Sequence, residues 1–474
     1  MGRGGQRQGV WAGVAESFDV AVVGGGVVGC AVARRFALEG ARTVLIERQS
    51  DFLGGASKAN SALLHTGFDA PPGSLELACL QAGRTEFLAI RERLNLPLLE
   101  TGAIMVAWTE SEHARLPQIV AQAHANGVGD VRPLDAAEVY RREPGLAKGV
   151  VGGLLVPGEH VVDPWSMPLA YLRQALENGA EVRFDAPVER GAFDGETWSL
   201  ELPQETLRAK TVVNCAGLYG DRLDEALLGA SGFRIRPRKG QFVVYDKAAH
   251  ELIDAIILPV PDAHSKGIVV ARTIFGNLLV GPTAEDQESR SDSSVTTPTL
   301  ERLRERGVRI LPALASVPVT AVYAGLRPAS EVKDYCITSQ VKRRWISVGG
   351  IRSTGLTAAL GIAAHVFKLY GAIGEAHRAP AEAVWPTVPN LAEHAARDWH
   401  QPGYGRIVCH CEMVTEREIR AALAGPLGAR DLGGLRRRTR AMLGRCQGFY
   451  CTAEVATLAD PHLRSPLTIG AAHG

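Results

Sequence analysis

Short apolar runs alternate with helix-length segments at the start of the chain. Asp19–Val23 and Thr43–Ile46 are predicted to be buried strands, in which apolar residues follow one another. Val27–Leu38 lies between them and is predicted to be a helix that ends near Gly40. Strand, turn, helix and strand in this order predict a unit of an α/β fold.

The turn between the first strand and the helix contains a spaced set of glycines. Gly24, Gly26 and Gly29 have the G-x-G-x-x-G spacing, and Glu47 and Arg48 follow the second strand. The first glycine permits the turn, the second lets a pyrophosphate approach the backbone, and the third lets the helix pack closely. The helix N-terminus would face the phosphates, and Glu47 would accept hydrogen bonds from the ribose hydroxyls. These features together predict a dinucleotide site.

Similar patterns occur later in the chain. Ala209–Gly217 is a predicted strand that ends in a small-residue turn, and Trp345–Val348 is a strand followed by two glycines and the helix Leu356–Tyr370. Both are expected to approach the same cofactor. Arg234–Tyr245 and Gly267–Pro282 are predicted strands of a larger sheet, whose alternation places polar residues opposite the valines.

We therefore predict an α/β protein with a Rossmann-type cofactor domain, an inserted α+β substrate domain on a larger mixed sheet, and a small helical C-terminal module. The predicted boundaries are 1–17 for a disordered leader; 18–95, 150–235 and 320–375 for the cofactor domain; 96–149 and 236–319 for the substrate domain; 376–405 for a linker; 406–455 for the C-terminal module; and 456–474 for a tail.

Composition excludes several classes of partner. A formal net charge of +1 points neither to nucleic acid nor to an anionic membrane. No run is long and apolar enough to span a bilayer, and Met1–Ser17 lacks the apolar core of a signal peptide. A cytoplasmic protein that reaches a membrane only through a partner is therefore expected.

The cysteines form two groups. Four are scattered through apolar or mixed segments and are predicted to be free thiols; these are Cys30, Cys79, Cys215 and Cys336. The other four cluster near the C-terminus and are predicted metal ligands; these are Cys409, Cys411, Cys446 and Cys451.

The C-terminal cysteines allow two metal assignments. An iron–sulfur cluster and a structural zinc ion both accept four thiolates, but C-x-C spacing is less usual for zinc. Thr415-x-x-Glu418 is a capping box and predicts a helix just after the first pair. Four arginines between the pairs could offset a cluster's negative charge, dock another surface or form a solvated face; these are Arg436, Arg437, Arg438 and Arg440.

The chain resembles FAD-dependent oxidoreductases of the D-amino-acid-oxidase type. The stretches that carry the resemblance are GASKANSALLHTGFDAPPGSL, HVVDP, VVNCAGLYGD, RPRKGQ, YAGLRPAS and GGIRSTGLTAA. They are closest in type to L-2-hydroxyglutarate oxidases and to the FAD subunit of anaerobic glycerol-3-phosphate dehydrogenase. The tail VCHCEMVTEREI…LRRRTRAMLGRCQGFYC resembles the bacterioferritin-associated-ferredoxin-like [2Fe-2S] domain.

The resemblance implies FAD as the dinucleotide, and it carries several cofactor contacts over to this chain. Ser57, Asn60 and Ser61 would lie along the pyrophosphate and flavin. The backbone of Val188 would meet the adenine side, and Ala216 and Gly217 the pyrophosphate side. The residues implied to border the isoalloxazine and ribityl chain are Gly350, Thr354, Gly355, Leu356 and Thr357.

The resemblance also implies candidates for catalysis. His65 occupies the position that faces the flavin, and it is our candidate for the base that takes a hydroxyl proton, against the ordinary interpretation of a hydrogen-bonded core histidine. Arg327 would bind a carboxylate or phosphate. Arg272 and Arg352 are weaker candidates for the same anion, against surface ion pairs.

The implied function is a dehydrogenase that oxidises a small anionic CH–OH substrate. Hydride would pass to FAD, and electrons would leave through a [2Fe-2S] cluster to a protein partner. Phe68 and Asp69 stand where glycerol-phosphate enzymes tend to carry arginine, which is closer to the hydroxyglutarate type. An amine or imino-acid dehydrogenase and a non-catalytic electron-transfer protein remain as alternatives.

Overall fold

The computed structural model of the protein describes residues 17–261, 267–374 and 376–467 of the 474-residue chain. The predicted leader lies outside the described residues, apart from Ser17 at the start of the first strand. The predicted tail is described as far as residue 467. In this part of the chain, none of the helices has the length and apolar character needed to cross a bilayer.

The strands fall into two large sheets and two small ones. In chain order they are β1 (Ser17–Val23), β2 (Thr43–Ile46), β3 (Leu63–Leu64), β4 (Leu98–Leu99), β5 (Ala103–Ala107), β6 (Arg132–Asp135), β7 (Gly152–Val156), β8 (His160–Val162), β9 (Glu181–Arg183), β10 (Arg190–Phe193), β11 (Trp198–Glu201), β12 (Thr206–Asn214), β13 (Ile235–Tyr245), β14 (Ile256–Pro259), β15 (Val269–Arg272), β16 (Leu278–Gly281), β17 (Glu285–Asp286), β18 (Val319–Ser330), β19 (Cys336–Gln340), β20 (Trp345–Gly349), β21 (Ile407–Cys409) and β22 (Val414–Thr415).

The helices lie between these strands, and the last three belong to the C-terminal module. In chain order they are α1 (Val27–Leu38), α2 (Leu75–Ile90), α3 (Glu110–His113), α4 (Leu116–Ala125), α5 (Ala136–Arg142), α6 (Ser166–Glu177), α7 (Gly220–Leu228), α8 (Thr297–Ile310), α9 (Gly355–Tyr370), α10 (Glu416–Leu423), α11 (Leu432–Thr439) and α12 (Thr452–Ala459).

The first sheet has a parallel core in the order β9-β2-β1-β12-β20. The carboxyl ends of these strands meet at one edge, where open α/β sheets bind their ligands. Helix α1 packs against α6 and α9, and the Phe36 ring meets Tyr370 edge-on with 4.9 Å between centroids. This sheet and its helices confirm the predicted Rossmann-type fold.

The larger sheet is mixed, as predicted. Its order is β17-β13-β16-β15-β14-β5-β7-β6, and β18 also pairs with β13. β14 and β5 run parallel, whereas β13 and β18 run antiparallel along the whole of Ile235–Tyr245. The core beneath this sheet contains Val243, Tyr245 and Leu303, all nearly inaccessible to solvent.

Two predicted domain boundaries differ from the structure. Residues 150–235 and 320–375 were expected in the cofactor domain, but β7 and β18 belong to the larger sheet. The alternation of a strand indicates which face is buried but not which sheet it joins. The large-sheet domain therefore extends to residues 156 and 330 at these two places.

The C-terminal module has its own small core, formed by α10, α11, α12 and the β21–β22 pair. Val414, Ile419 and Val455 are fully buried in it. The predicted capping box is present, because Thr415 Oγ1 accepts from the Glu418 amide at 3.1 Å and Glu418 accepts from the Thr415 amide at 2.9 Å. Helix α12 ends at Ala459, beyond the predicted boundary at residue 455.

The predicted linker, residues 376–405, lies along both large domains as an ordered strap. The Val384 carbonyl accepts from the side chains of Gln174 and Asn178, both at 3.0 Å. Further along, Glu393 pairs with Lys247 of the large-sheet domain at 2.7 Å. These contacts attach the segment first to the Rossmann-type domain and then to the large-sheet domain, before the chain enters the C-terminal module.

A buried ion pair docks the C-terminal module on the Rossmann-type domain. Both Arg438 Nη atoms donate to the Asp51 carboxylate at 2.7 Å, and both side chains are buried. A Cβ on Gly434 would lie 1.8 Å from Asp51 Oδ2, so glycine is required for this approach. Arg437 also donates to the Phe52 carbonyl at 3.3 Å. Arg437 and Arg438 of α11 therefore make docking contacts and do not belong to a solvated face.

Asp51→Asn is expected to weaken this docking strongly, because it leaves a buried guanidinium without its counter-charge. Breaking such a pair costs roughly 3–5 kcal/mol. We expect faster cleavage within residues 376–405 during limited proteolysis and a lower free energy of unfolding. Glu225→Gln breaks the exposed Arg222–Glu225 pair and should cost at most about 1 kcal/mol. Equal effects of the two substitutions would contradict this role.

Candidate functional site

The turn after β1 has no room for a side chain at two of its glycines. Gly24 has φ +115°, and a Cβ there would lie 2.4 Å from the Cys215 carbonyl oxygen. A Cβ on Gly29 would lie 1.9 Å from the Gly24 carbonyl oxygen. The turn is therefore pressed between β12 and its own helix, as the glycine spacing predicts.

The N-terminus of α1 faces polar groups at the same edge. Ser57 Oγ accepts from the Val27 amide at 3.0 Å, and Glu47 Oε2 accepts from the Gly25 amide at 2.6 Å. Burial raises the pKa of Glu47, although hydrogen bonds from the amides of Gln49 and Gly25 oppose the shift. This edge thus offers the glycine-rich backbone and the acid that a dinucleotide requires.

A cavity of about 840 Å³ opens at this edge and runs between the two large sheets. Most of the predicted cofactor residues line it. These are Gly24, Gly26, Glu47, Arg48, Ser57, Asn60, Ser61, Ala216, Gly217, Gly350, Thr354, Gly355 and Leu356. Segments far apart in sequence therefore meet around one elongated space, as the resemblance implies.

Three predicted cofactor residues do not line the cavity. Gly29 acts through helix packing, as described above. Val188 is half-buried against a hydrophobic cluster beside the first sheet. Thr357 lies behind the cavity wall, where its Oγ1 accepts from the His65 amide at 3.0 Å and donates to the Leu63 carbonyl at 3.2 Å. Thr357 therefore supports the wall instead of forming it.

Arg272 is also outside the cavity, which corrects its prediction as an anion ligand. Its guanidinium donates to the Ile253 carbonyl and pairs with the Asp254 carboxylate. The β15–β16 hairpin carries Arg272 toward these residues. The alternation predicted the face of the strand but not the charged neighbour on that face.

Arg327 lines the cavity, and its guanidinium is buried there. Both Nη atoms donate to the Thr283 carbonyl at 3.2 Å, and among the described residues no carboxylate is found to pair with this guanidinium. A Cβ on Gly240 would lie 2.6 Å from Nη2, so glycine makes room for the guanidinium. Burial, with a smaller effect of Arg238, lowers the pKa of Arg327 to about 10. The side chain remains charged at neutral pH and is suited to an anionic ligand.

Arg352 lines the same cavity and is half-buried. Two guanidinium groups, of Arg327 and Arg352, therefore line one cavity. This arrangement favours a substrate that carries a negative charge.

His65 lines the cavity and is hydrogen-bonded to a buried acid. Its Nδ1 lies 2.8 Å from Glu159 Oε2. The other carboxylate oxygen of Glu159 accepts from the Thr66 amide at 2.6 Å and from Thr66 Oγ1 at 2.9 Å. Glu159 is only 1% exposed. The site therefore contains a histidine whose ring is held by a carboxylate on the side of Nδ1.

Sequence reasoning missed Glu159 and the Tyr219 ring. Glu159 directly precedes the HVVDP stretch, and its place between a glycine and a buried strand was an available signal. Tyr219 stacks under the Arg48 guanidinium, 3.9 Å from the ring centroid, and lines the cavity. It follows the small-residue turn after β12, where no motif marks an aromatic residue.

The four C-terminal cysteines form two contacting pairs. Cys411 lies beside Cys446, and Cys451 lies beside Cys409. Burial, together with the neighbouring thiols, raises the pKa of Cys451 to about 12. Such mutual repulsion is relieved when cationic metal binds the thiolates, and two pairs of cysteines suit a cluster with two irons. Within the described residues, no three potential ligands are gathered tightly enough to hold a single ion.

The remaining cysteines are free thiols, as predicted. Burial raises the pKa of Cys79 to about 12 and raises those of Cys30 and Cys215 further. Cys336 is half-buried, and burial raises its pKa as well. These thiols are therefore protonated at neutral pH and unreactive.

The Rossmann-type turn, the cavity with its cations and histidine, and the cysteine module define a flavoprotein oxidoreductase with a second redox centre. Residues 19–369 match the family model "FAD dependent oxidoreductase" (DAO), and residues 407–460 match "BFD-like [2Fe-2S] binding domain". The chain belongs to the FAD dependent oxidoreductase family, with FAD and a [2Fe-2S] cluster as its cofactors. Both cofactor predictions are confirmed.

Relatives cover nearly the whole chain. The glycerol 3-phosphate dehydrogenase of Caloramator mitchellensis is 31% identical over 95% of each chain. One component of the anaerobic glycerol-3-phosphate dehydrogenase of Escherichia coli K12 is 26% identical over 94% of this chain and 88% of that one. The FAD-bound L-alpha-glycerophosphate oxidase structure from Mycoplasma pneumoniae has a TM-score of 0.73 and 26% identity, covering 79% of this chain and 99% of that chain.

Gly24→Ala should weaken FAD binding, because the methyl group collides with the Cys215 carbonyl and φ is positive. Overpacking and backbone strain together cost roughly 2–6 kcal/mol, which corresponds to at least about 30-fold weaker binding. FAD binding to the deflavinated protein, followed by flavin fluorescence, measures this. Gly129→Ala is the control, because an added Cβ there meets no atom within 4 Å. An unchanged affinity of Gly24→Ala for FAD would contradict the assignment of this glycine turn as the FAD site.

Cys411→Ser should remove the cluster and leave FAD in place, because the cysteine pairs lie in a separate domain. Iron and acid-labile sulfide per chain measure the cluster, and visible absorbance measures the flavin. Cys79→Ala, a buried thiol in α2, is the matched control and should retain both cofactors. Stoichiometric zinc in the wild-type protein, or full iron content in Cys411→Ser, would overturn the assignment.

Proposed function

We propose that the protein is a dehydrogenase that oxidises the secondary alcohol of sn-glycerol 3-phosphate and passes the electrons through its [2Fe-2S] cluster to a partner. The observation that carries this proposal is the placement of Arg327, a buried guanidinium for which no carboxylate partner is found among the described residues, in the same cavity as His65. The name of the relative that is 31% identical over 95% of both chains supports the choice of substrate.

Arg327 and Arg352 are the proposed phosphate ligands. A phosphate dianion can accept from two guanidinium groups at once, and each such charge-assisted hydrogen bond is roughly twice as strong as a neutral one. The Arg327 guanidinium is already partly desolvated, so little further dehydration opposes ligand binding. Its position is fixed by the Thr283 carbonyl, which limits the orientations that the bound anion can take.

His65 is the proposed base for the substrate hydroxyl. FAD, when bound, supplies the acceptor for the hydride of the same carbon. The protein holds the reacting alcohol between the anion site and the histidine, and the apolar walls formed by Met105, Phe242 and Leu258 limit water around it. Positioning of this kind, with general base catalysis, is the contribution expected from the protein.

The C-terminal module is the proposed exit for electrons. It matches the BFD-like [2Fe-2S] domain, and the Escherichia coli relative is named as one component of a larger enzyme, which supports a partner that accepts electrons. A cytoplasmic location is part of the proposal, since all eight cysteines are free and thiols persist in reducing compartments. The partner's own membrane association would bring the complex to a bilayer.

Substrate identity is tested by anaerobic reduction of the bound flavin. We expect sn-glycerol 3-phosphate to bleach the flavin at lower concentration and at a higher rate than L-2-hydroxyglutarate or an N-methyl amino acid. Bleaching by L-2-hydroxyglutarate alone would move the substrate to the hydroxy acids, and bleaching by the N-methyl amino acid alone would assign CH–NH oxidation. If none of the three reduces the flavin, the proposed catalytic role is wrong.

Arg327→Met should raise KM for sn-glycerol 3-phosphate, because a charged hydrogen-bonding partner of the phosphate is lost. The expected penalty is about 2–4 kcal/mol, or roughly 30- to 1000-fold in kcat/KM. Steady-state assays with a dye acceptor measure it. Arg272→Met removes an arginine of the same sheet that is paired with Asp254 outside the cavity, and it should change kcat/KM less than about threefold. Equal effects of both substitutions would contradict the anion site.

A further inference from the structure

Glu159 and His65 are cross-strand neighbours at the wall of the cavity. β3 and β8 run antiparallel with Leu64 opposite His160, so the next residues of the two strands, His65 and Glu159, face each other. Side chains directly opposite on such strands are within contact distance. His65 directly follows β3 and Glu159 directly precedes β8, so the register of these two strands brings the histidine and the carboxylate together.

We propose that Glu159 is a positioning residue for His65, which keeps the ring proton on Nδ1 and leaves Nε2 as the proton acceptor. An ionised carboxylate only accepts hydrogen bonds, so the proton between Glu159 and the ring belongs to Nδ1. A neutral imidazole carries one ring proton, and Nε2 is then the nitrogen with the lone pair. This inference rests on the proposed function and assigns the residue that prepares its base.

Thr66 determines how the Glu159 side chain is oriented. Its amide and its hydroxyl both donate to Oε1, at 2.6 and 2.9 Å, which directs Oε2 toward the His65 ring at 2.8 Å. Glu159 is 1% exposed, so water does not compete for these positions. The carboxylate is thus held by two donors on one oxygen and presents the other to the imidazole.

The hydrogen bond between Glu159 and His65 would also stabilise the positive charge that His65 gains when it takes the substrate proton. The substrate O–H bond would break and its proton would form an N–H bond at Nε2, while FAD, when bound, would supply the acceptor for the hydride of the carbinol carbon. His65 is then an imidazolium, and the buried Glu159 carboxylate stabilises its positive charge across a 2.8 Å hydrogen bond. The proton later leaves from Nε2 to solvent through the cavity.

Other ionisable groups surround the pair and are shared by every variant described below. His160 adjoins Glu159, and burial together with Arg84 lowers its pKa. Arg84 donates to the Gly158 carbonyl at 3.0 Å, and Asp69 and Glu76 line the same cavity. Because these groups are unchanged, a difference between the variants reports on the residue at position 159.

The decisive variant is Glu159→Gln, which keeps the shape of the side chain. The two Thr66 donors require an acceptor, so the amide oxygen stays on their side and the amide NH₂ faces the ring. That NH₂ donates to Nδ1 and moves the ring proton to Nε2, which removes the acceptor for the substrate proton. We expect anaerobic flavin reduction by sn-glycerol 3-phosphate to slow by roughly 10²- to 10⁴-fold.

Two readouts separate positioning from a merely structural role. The ¹⁵N resonances of His65, assigned by comparison with His65→Asn, should report the Nδ1–H tautomer in the wild-type protein and the Nε2–H tautomer in Glu159→Gln. In addition, Glu159→Gln should slow flavin reduction little further when His65 is already Asn, because it acts through that ring. An unchanged tautomer, or a full additional loss in the double variant, would overturn the proposal.

The failure of this inference is distinguishable from failure of the proposed function. The tautomer is measured without substrate and retains its meaning if sn-glycerol 3-phosphate does not reduce the flavin. Thermal unfolding of Glu159→Gln should lie close to that of the wild-type protein, since the hydrogen bonds of Thr66 are kept. If Glu159→Gln does not fold, Glu159→Asp gives a second test. The shorter aspartate side chain cannot reach both Thr66 and His65. A wild-type tautomer of His65 and a wild-type rate of flavin reduction in Glu159→Asp would contradict the proposal.

Discussion

The turn at Gly24 is the constraint on which the rest of the molecule depends. A methyl group on Gly24 or Gly29 would overlap a carbonyl oxygen, so β1, α1 and β12 meet at a distance that only glycine allows. This contact sets the carboxyl edge of the parallel sheet and places Glu47, Ser57 and the residues after β12 around one space. The position of the cofactor site therefore follows from backbone packing, and side chains such as Glu47 and Ser57 supply polar contacts for the cofactor.

The cavity is completed by the second large sheet, which lies over that edge. β13 and β18 carry Gly240 and Arg327 to it, and the β3–β8 pair carries His65. The proposed anion ligand and the proposed base thus come from different sheets and line one cavity. Such division between elements is common for oxidoreductases, in which the cofactor performs the chemistry and the protein sets its geometry.

The C-terminal module is held where it can serve the same site. Besides the buried pair of Asp51 and Arg438, Arg440 lies over the Phe275 ring, 4.1 Å from its centroid, and Phe275 stacks on Trp165 with 5.2 Å between centroids. Trp165 donates to the Lys58 carbonyl at 3.1 Å, beside the cavity. All three domains therefore meet in one packed region, and the strap of residues 376–405 reinforces it.

Sequence patterns predicted the features that are encoded within a few residues, but they did not predict contacts between residues far apart in the sequence. The glycine turn and the capping box of Thr415 are encoded within a few residues, so spacing alone identifies them. The sheet that β7 joins, the ion pair that occupies Arg272 and the contact of Glu159 with His65 depend on strands distant in sequence. Alternation along a strand specifies a buried face, but it does not specify the partner across that face.

The most direct test of the central claim is an anaerobic single turnover with sn-glycerol 3-phosphate, in which flavin absorbance and the cluster signal are recorded together. The account predicts that the flavin bleaches first and that the cluster is reduced afterwards, and that Cys411→Ser retains the first phase and loses the second. Two results would contradict this order of electron transfer in the wild-type protein. One is reduction of the cluster without prior bleaching of the flavin, and the other is bleaching of the flavin that is not followed by reduction of the cluster.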